Sequence, residues 1–254
     1  YLLVGYRSGL TPNPDVLCNR EMKFGVFLDY ALAQGFEAVA TGHYARRREL
    51  ADGNAVILRG ADPNKDQSYF LALMTQRQVK HALFPVGEML KPQVRETAER
   101  FALPTAKKKD SQGICFIGNV KMSEFLRHYV PDSPGEIVDL EGRVLGQHQG
   151  LHLYTLGQRK GHGVASPREG MAYVVVAKDA EKNHLVVGWD ERSTPGLYAG
   201  ECTVTSLSSV GEVLLPGDGP WRCEVQPRYR SQAAAASLEG VDALILLDEL
   251  FSRD

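Results

Sequence analysis

The chain has 254 residues, 43% of them hydrophobic and 24% charged, with a formal net charge of −2 at pH 7. That is ordinary globular composition with room for one large or two modest domains, and the charge argues against a wholly basic nucleic-acid coat while allowing local basic patches. No apolar run approaches the roughly 20 residues that span a membrane, no signal-peptide pattern is present, and the four cysteines form no C-x-x-C pair, so a reducing, cytoplasmic compartment fits best.

The chain begins with Tyr1 rather than Met, in what reads as the middle of a domain, and a fragment is expected. Thr11 to Gly25 reads TPNPDVLCNREMKFG. Pro12 and Pro14 fix their own φ and push Thr11 and Asn13 toward extended conformations, which makes a stiff entrance to a helix. Asp15 and Cys18 stand there three residues apart. A thiol near a helix N-terminus can have a lowered pKa and react as thiolate. The alternative is that Asp15 caps the helix and Cys18 is a small buried hydrophobe.

Asn19–Gln34 is expected as a helix, with Phe24, Phe27, Leu28, Ala31 and Leu32 on its apolar face and Gly35 at its stop. Glu37–Thr41 reads as a short buried strand leading to Gly42 and His43, where ligands sit in open α/β sheets. Arg46–Arg59 reads as a hairpin turning at 51–54. Lys65, Asp66 and Gln67 lead into an aromatic-rich helical stretch, Ser68–Met74. A helix starts at Lys91 with Pro92 in its first turn, and another covers Met122–Tyr129. Cys115 lies between them in a Gly-flanked loop just after three lysines, a setting that favours a thiolate, although a buried cysteine beside Ile114 and Phe116 is the alternative. After Pro131 come short β-like segments at 136–139, 144–147, 173–177, 185–188, 202–206, 221–229 and 243–247, the pattern of a β-barrel or sandwich. The loop Leu151–Gly163 is basic and Gly-rich, and Ala233–Ala236 reads as a surface loop or linker. The basic clusters Arg46–Arg48, Lys107–Lys109 and Arg228–Arg230 are candidates for phosphate contact.

TPNPDVLCN, ATGHYAR, KDQSYFL, KKKDSQGICFIG, YTLGQRKG and RYR follow one another in this order. The ordered set closely resembles the MnmA-type tRNA-specific 2-thiouridylases, from Tyr1 to about Arg230. The resemblance implies an α/β-plus-β architecture: the tail of a Rossmann-like PP-loop ATP-pyrophosphatase domain (1–48), a small, mainly helical central domain (49–130) and a C-terminal β-barrel (131–254). It also implies ATP-dependent sulfur transfer to carbon 2 of the wobble uridine of tRNA. In that chemistry adenylation makes the base oxygen a leaving group and a cysteine persulfide supplies the sulfur. By this resemblance Cys115 bears the persulfide and Cys18 is the second cysteine, which pairs with it transiently. Asp15 is the acid/base group, and Asn13, Pro14 and Asp15 together contact the target base. Gly42 matches an ATP contact. His43, Lys65, Asp66, Gln67, Arg228 and Tyr229 match tRNA contacts. The implied cofactor is ATP with Mg2+, and the implied partners are the tRNA anticodon loop and a persulfide donor or relay protein. Two other readings of the residues are a non-catalytic tRNA-binding module and an iron–sulfur cluster on Asp15, Cys18 and Cys115.

The family's Ser-Gly-Gly-x-Asp-Ser phosphate loop does not occur in this sequence, and the last barrel strands are expected to be incomplete. A phosphate cradle needs such backbone N–H donors. Calorimetric titration of this chain with ATP is therefore expected to show little or no binding; micromolar affinity would mean that other residues build the pocket.

Overall fold

The computed structural model describes residues 1–108, 122–166, 169–204, 208, 210, 219–229, 231–239 and, as backbone only, the strand 244–252. Lys109, Cys115 and Arg230 lie outside the described residues. Two compact units form, one from residues 13–118 with 206–217, the other from 1–12, 119–205 and 218–254.

Helix α1 (Leu2–Arg7) belongs to the second unit, where Gly5 and Tyr6 are its buried residues. The first unit begins at α2 (Pro14–Leu17). Pro14 has no N–H to lose at the first helical position, and its ring pre-sets the helical φ. Asn13 before it is extended, at φ −96° and ψ 101°, and its Oδ1 accepts from the Asp15 N–H at 3.1 Å. The cap is thus Asn13, not Asp15, because an extended residue just before Pro14 has the capping geometry.

The chain then continues as a π-helix over Cys18–Val26 and as α3 over Phe27–Ala33. The helix expected from Asn19 is therefore present, but it starts earlier and is kinked. The kink is at Gly25, with φ −99° and ψ −107°. A Cβ there would stand 2.8 Å from the Arg20 carbonyl oxygen, closer than carbon tolerates, so the kink requires glycine. The kink shifts the apolar face. Phe24 and Leu28 are fully buried, whereas Phe27, expected on the same face, is 56% exposed. Gly35 follows at φ +85°, in the left-handed conformation that suits a helix stop.

Strand β1 (Val39–Ala40) leads to the hairpin of β2 (Ala45–Glu49) and β3 (Ala55–Arg59). The hairpin is antiparallel with Arg47 opposite Ile57, and Gly53 takes φ +79° in its turn. A 3-10 turn at Ser68–Leu71 stands where a longer helical stretch was expected. Helix α4 (Gln76–Lys80) is entered through a capping box of Thr75 and Gln78. Strand β4 (Ala82–Leu83) pairs in parallel with β1, as the α/β pattern implied. Helix α5 (Lys91–Arg100) has Pro92 in its first turn and the buried Asp62 carboxylate on its first N–H, 2.9 Å from Lys91 N. Phe24, Leu28, Val39, Leu71, Met74 and Val79 form the core of this unit.

In the second unit α6 (Met122–Arg127) precedes two four-stranded sheets. The first is built from β5 (Gly135–Val138), β6 (Val144–His148), β7 (Tyr173–Asp179) and β8 (His184–Trp189), in the order β6-β5-β8-β7. Its core is Ile137, Tyr154, Tyr173, Val175, Leu185 and Val187, with Tyr173 stacked on Trp189 at 4.3 Å. The second is built from β9 (Tyr198–Thr203), β10 (Trp221–Val225), β11 (Ala234–Glu239) and β12 (Leu244–Ser252), in the order β10-β11-β12-β9. Strand β11 corrects the sequence reading of Ala233–Ala236 as a loop or linker. It is an interior strand with Ala236 and Leu238 buried, and small side chains there leave room for close packing. These sheets supply the β architecture expected after Pro131; no closed barrel is seen among the described residues.

The kink gives a direct test. Leu28→Ala should cost about 3 kcal/mol, as buried leucines do, while Phe27→Ala should change stability by less than about 0.5 kcal/mol. Urea unfolding of the two variants checks the pair; equal losses would place Phe27 in the core.

Candidate functional site

The site residues of the first unit converge from three sequence motifs. The capped α2 presents Asp15 in its first turn, with Cys18, also half-buried, at the start of the π-helix. Asn19, only 1% exposed, donates from Nδ2 to the Phe70 carbonyl at 2.9 Å. That bond joins TPNPDVLCN to KDQSYFL. A second junction joins KDQSYFL to ATGHYAR. Gln67 N donates to the Tyr44 carbonyl at 2.9 Å, and Gln67 Oε1 accepts from Tyr44 N at 3.1 Å. One glutamine thus closes both backbone groups of Tyr44 as a strand partner would.

Gly42 lies past the carboxyl end of β1 and is exposed, with nothing within 4 Å of the point a Cβ would occupy. Its backbone is thus open beyond a strand end, the place where ligands lie in open α/β sheets. His43 is buried; its Nδ1 is 2.8 Å from Thr41 Oγ1, and its ring is 6.3 Å from Phe24 and 6.2 Å from Phe84. Burial, reinforced by the charge of Lys23, pushes its pKa down to about 4. At neutral pH His43 is an uncharged donor or acceptor.

Asp15 is affected in the opposite sense. Burial raises its carboxyl above the usual carboxylate range, and Lys23 partly offsets the rise. A carboxyl raised by desolvation holds its proton more readily than an ordinary one, which favours an acid/base group. Lys65 is half-buried and its N–H donates to the Asp62 carbonyl at 3.0 Å. Asp66 organises the turn before the 3-10 segment: Oδ1 accepts from Gly60 N at 2.8 Å and Ser68 N at 3.2 Å, and Oδ2 from Ser68 Oγ at 2.9 Å. Beside the hairpin, a cavity of about 350 Å³ is lined by residues including Arg46, Arg47, Phe84 and Glu88. Two arginines of that basic cluster carry acidic partners, Arg46 with Glu88 at 3.3 Å and Arg47 with Glu49 at 3.2 Å.

Arg228 and Tyr229, both half-buried, belong to the second unit. Arg228 donates to the Leu156 carbonyl at 2.9 Å and lies over Gly157, where a Cβ would collide with its guanidinium. Cys202 is raised by burial, which makes it a poor nucleophile. Among the described residues no three His, Cys, Asp or Glu side chains converge as metal ligands, and no helix is long and apolar enough to cross a membrane.

Sequence reasoning singled out neither Asn19 nor Lys23. Lys23 Nζ donates to Asn19 Oδ1 at 2.9 Å, and its charge reaches both Asp15 and His43. The signal was an asparagine and a lysine four apart in a run otherwise read for its apolar spacing.

The first unit thus joins a short parallel strand pair to a helix that carries an acid and a thiol. Residues 1–119 match the family model described as "tRNA methyl transferase HUP domain", and residues 123–189 the one described as "tRNA methyl transferase PRC-barrel domain". The tRNA-specific 2-thiouridylase MnmA of Akkermansia muciniphila is 65% identical over 239 residues, which cover 94% of this chain and 65% of that protein. The proteins of the same name from Pseudomonas fluorescens (strain Pf0-1) and Pseudomonas syringae pv. syringae are each 46% identical, over 95% and 94% of this chain and 64% and 63% of their own lengths. The chain is similar to these tRNA-specific 2-thiouridylases along nearly all of its own length, and it spans just under two thirds of theirs.

The His43 environment predicts a pH dependence. The unfolded histidine binds a proton below its ordinary value of about 6.5 while the folded one does not until about 4, so stability should fall as pH drops through that window. A histidine NMR titration should show one ring protonating near 4, and His43→Phe should flatten the loss. A ring titrating at its ordinary value would show that the side chain is open to water.

Proposed function

We propose that the protein to which this chain belongs transfers sulfur to carbon 2 of the wobble uridine of tRNA, with ATP consumed. The observation that carries this reading is the 65% identity to a tRNA-specific 2-thiouridylase over 94% of the chain, supported by an acid on the capped α2 and a thiol at the start of the π-helix that follows it. The relatives' printed name supplies the substrate and the element transferred; the finer roles are inferred. No observation favours the non-catalytic tRNA-binding module.

In this reading residues 1–48 close the nucleotide domain, 49–130 form the central domain and 131–254 the barrel. Asn13, Pro14 and Asp15 meet the flipped-out base, and Asp15 exchanges a proton with it. The wobble base must leave the anticodon stack to reach so recessed a site. When bound at the Gly42 edge, ATP supplies activation of the base oxygen as a leaving group. Cys115 carries the sulfur delivered as a persulfide by a donor or relay protein. Cys18 attacks the inner sulfur of that persulfide as thiolate. The terminal sulfur passes to carbon 2, a Cys18–Cys115 disulfide remains, and an external thiol must reduce it before the next turnover. His43, Lys65, Asp66 and Gln67 of the first unit, and separately Arg228 and Tyr229 of the second, contact the tRNA in this reading. His43, Asp66 and Gln67 act there through the backbone and ring packing they fix more than through charge.

Thiolation by the complete protein, read by mass spectrometry of digested tRNA, tests the reading. Cys115→Ser should abolish sulfur incorporation with tRNA binding intact. Cys18→Ser should stop turnover yet let Cys115 accept a persulfide. Full activity in either variant, or a methyl group on the product in place of sulfur, would overturn it.

A further inference from the structure

We infer that Lys23 is a positioning residue for the reaction at Asp15 and Cys18: pinned to the Asn19 carbonyl, its ammonium is the cation that holds the acid and the thiol in their charged forms. The inference rests on the proposed thiolation chemistry and adds to it a residue that no motif had marked.

The geometry is local and specific. Asn19 is buried, and its amide nitrogen is committed to the Phe70 carbonyl. Its Oδ1 therefore has a fixed direction, and Lys23 Nζ sits on it at 2.9 Å. An ammonium carries three donors, so one bond to Asn19 anchors it and leaves two for the site. Cys18 and Lys23 are five apart within the π-helix. An α-helix would turn residues at that spacing away from each other, whereas the i→i+5 bonding of a π-helix brings them onto one side. The π segment thus puts Lys23 on the side of the helix that carries Cys18, with Asp15 three residues before the thiol.

Two arginines around this helix carry acidic partners of their own. Arg20 pairs with Glu21 and Arg77 of α4 with Asp29 of α3, both at 2.6 Å. Tyr69 of the 3-10 turn is packed edge-on against Phe70. Across the strand end the titratable group facing Lys23 is His43, which is neutral. Lys23 is accordingly the cation whose field reaches both Asp15 and His43, lowering the pKa of each.

The test compares Lys23→Met, Lys23→Arg, Asp15→Asn and Cys18→Ser in the complete protein, with tRNA, ATP and a persulfide donor. Lys23→Met should lower kcat about tenfold, the factor that one pKa unit represents, with KM for tRNA unchanged. The acid limb of its pH–rate profile should move to higher pH, because Asp15 takes up its proton more readily without the cation. Alkylation of Cys18 by iodoacetamide at fixed pH should slow by a similar factor, with Cys202 as internal reference, and Lys23→Arg should restore both. If Lys23→Met melts early, Lys23→Gln keeps a donor to Asn19 and drops the charge. An unmoved acid limb and unchanged Cys18 alkylation, beside inactive Asp15→Asn and Cys18→Ser, would overturn the role of Lys23 and leave the thiolation reading in place. Active Asp15→Asn and Cys18→Ser would remove that reading, and this inference with it.

Discussion

Phe24 packs without exposure between the helix that carries Asp15 and Cys18 and the end of the β1–β4 pair, its ring 6.3 Å from His43 and 6.0 Å from Phe84. The site depends on this contact. It fixes the roll of the helix, so that Asn19 meets the Phe70 carbonyl of the 3-10 turn and holds Lys23, while Leu28 continues into the core. It also dries the pocket around His43, which is why that ring stays neutral. An ordinary α-helix through Gly25 could not satisfy both ends, since the core face before the kink and the core face after it lie at different angles. The glycine absorbs the difference.

Much of the architecture was legible because period and punctuation agree. Val39–Ala40, the hairpin with its turn at Gly53 and α5 with Pro92 all stand where apolar spacing and turn residues put them. The misreadings have physical causes. Phe27 was assigned to the core by a 3.6-residue period that the π segment breaks. Ala233–Ala236 read as a linker because alanine has weak strand preference, but β11 is held by neighbours on both sides and needs small side chains rather than β-formers. Short elements such as α4 and β4 carry too few residues to show a period.

The site was legible in its parts but not in its wiring. Asp15 and Cys18 were visible as an acid and a thiol at a proline-stiffened helix entrance. That Asn13 takes the cap, and so leaves the Asp15 carboxylate uncommitted to the backbone, follows only from the backbone angles. The Asn19–Phe70 and Gln67–Tyr44 bonds tie three separated motifs together, and no single stretch of sequence encodes such a closure. Lys23 was hidden because charged residues on a helix are read as solvated unless a partner shows otherwise.

Arg228 on the Leu156 carbonyl, with its guanidinium over Gly157, makes one contact of two motifs about seventy positions apart. The two positions are mechanically interdependent. Any side chain larger than hydrogen at 157 displaces the arginine, and loss of the arginine uncovers the loop that begins the YTLGQRKG run. A neutral substitution at 228 therefore removes a charge and releases a loop at once. A glycine-preserving change elsewhere in that loop separates the two effects, so the loop rather than the arginine is the better place to begin when the proposed RNA contact of this unit is put to the test.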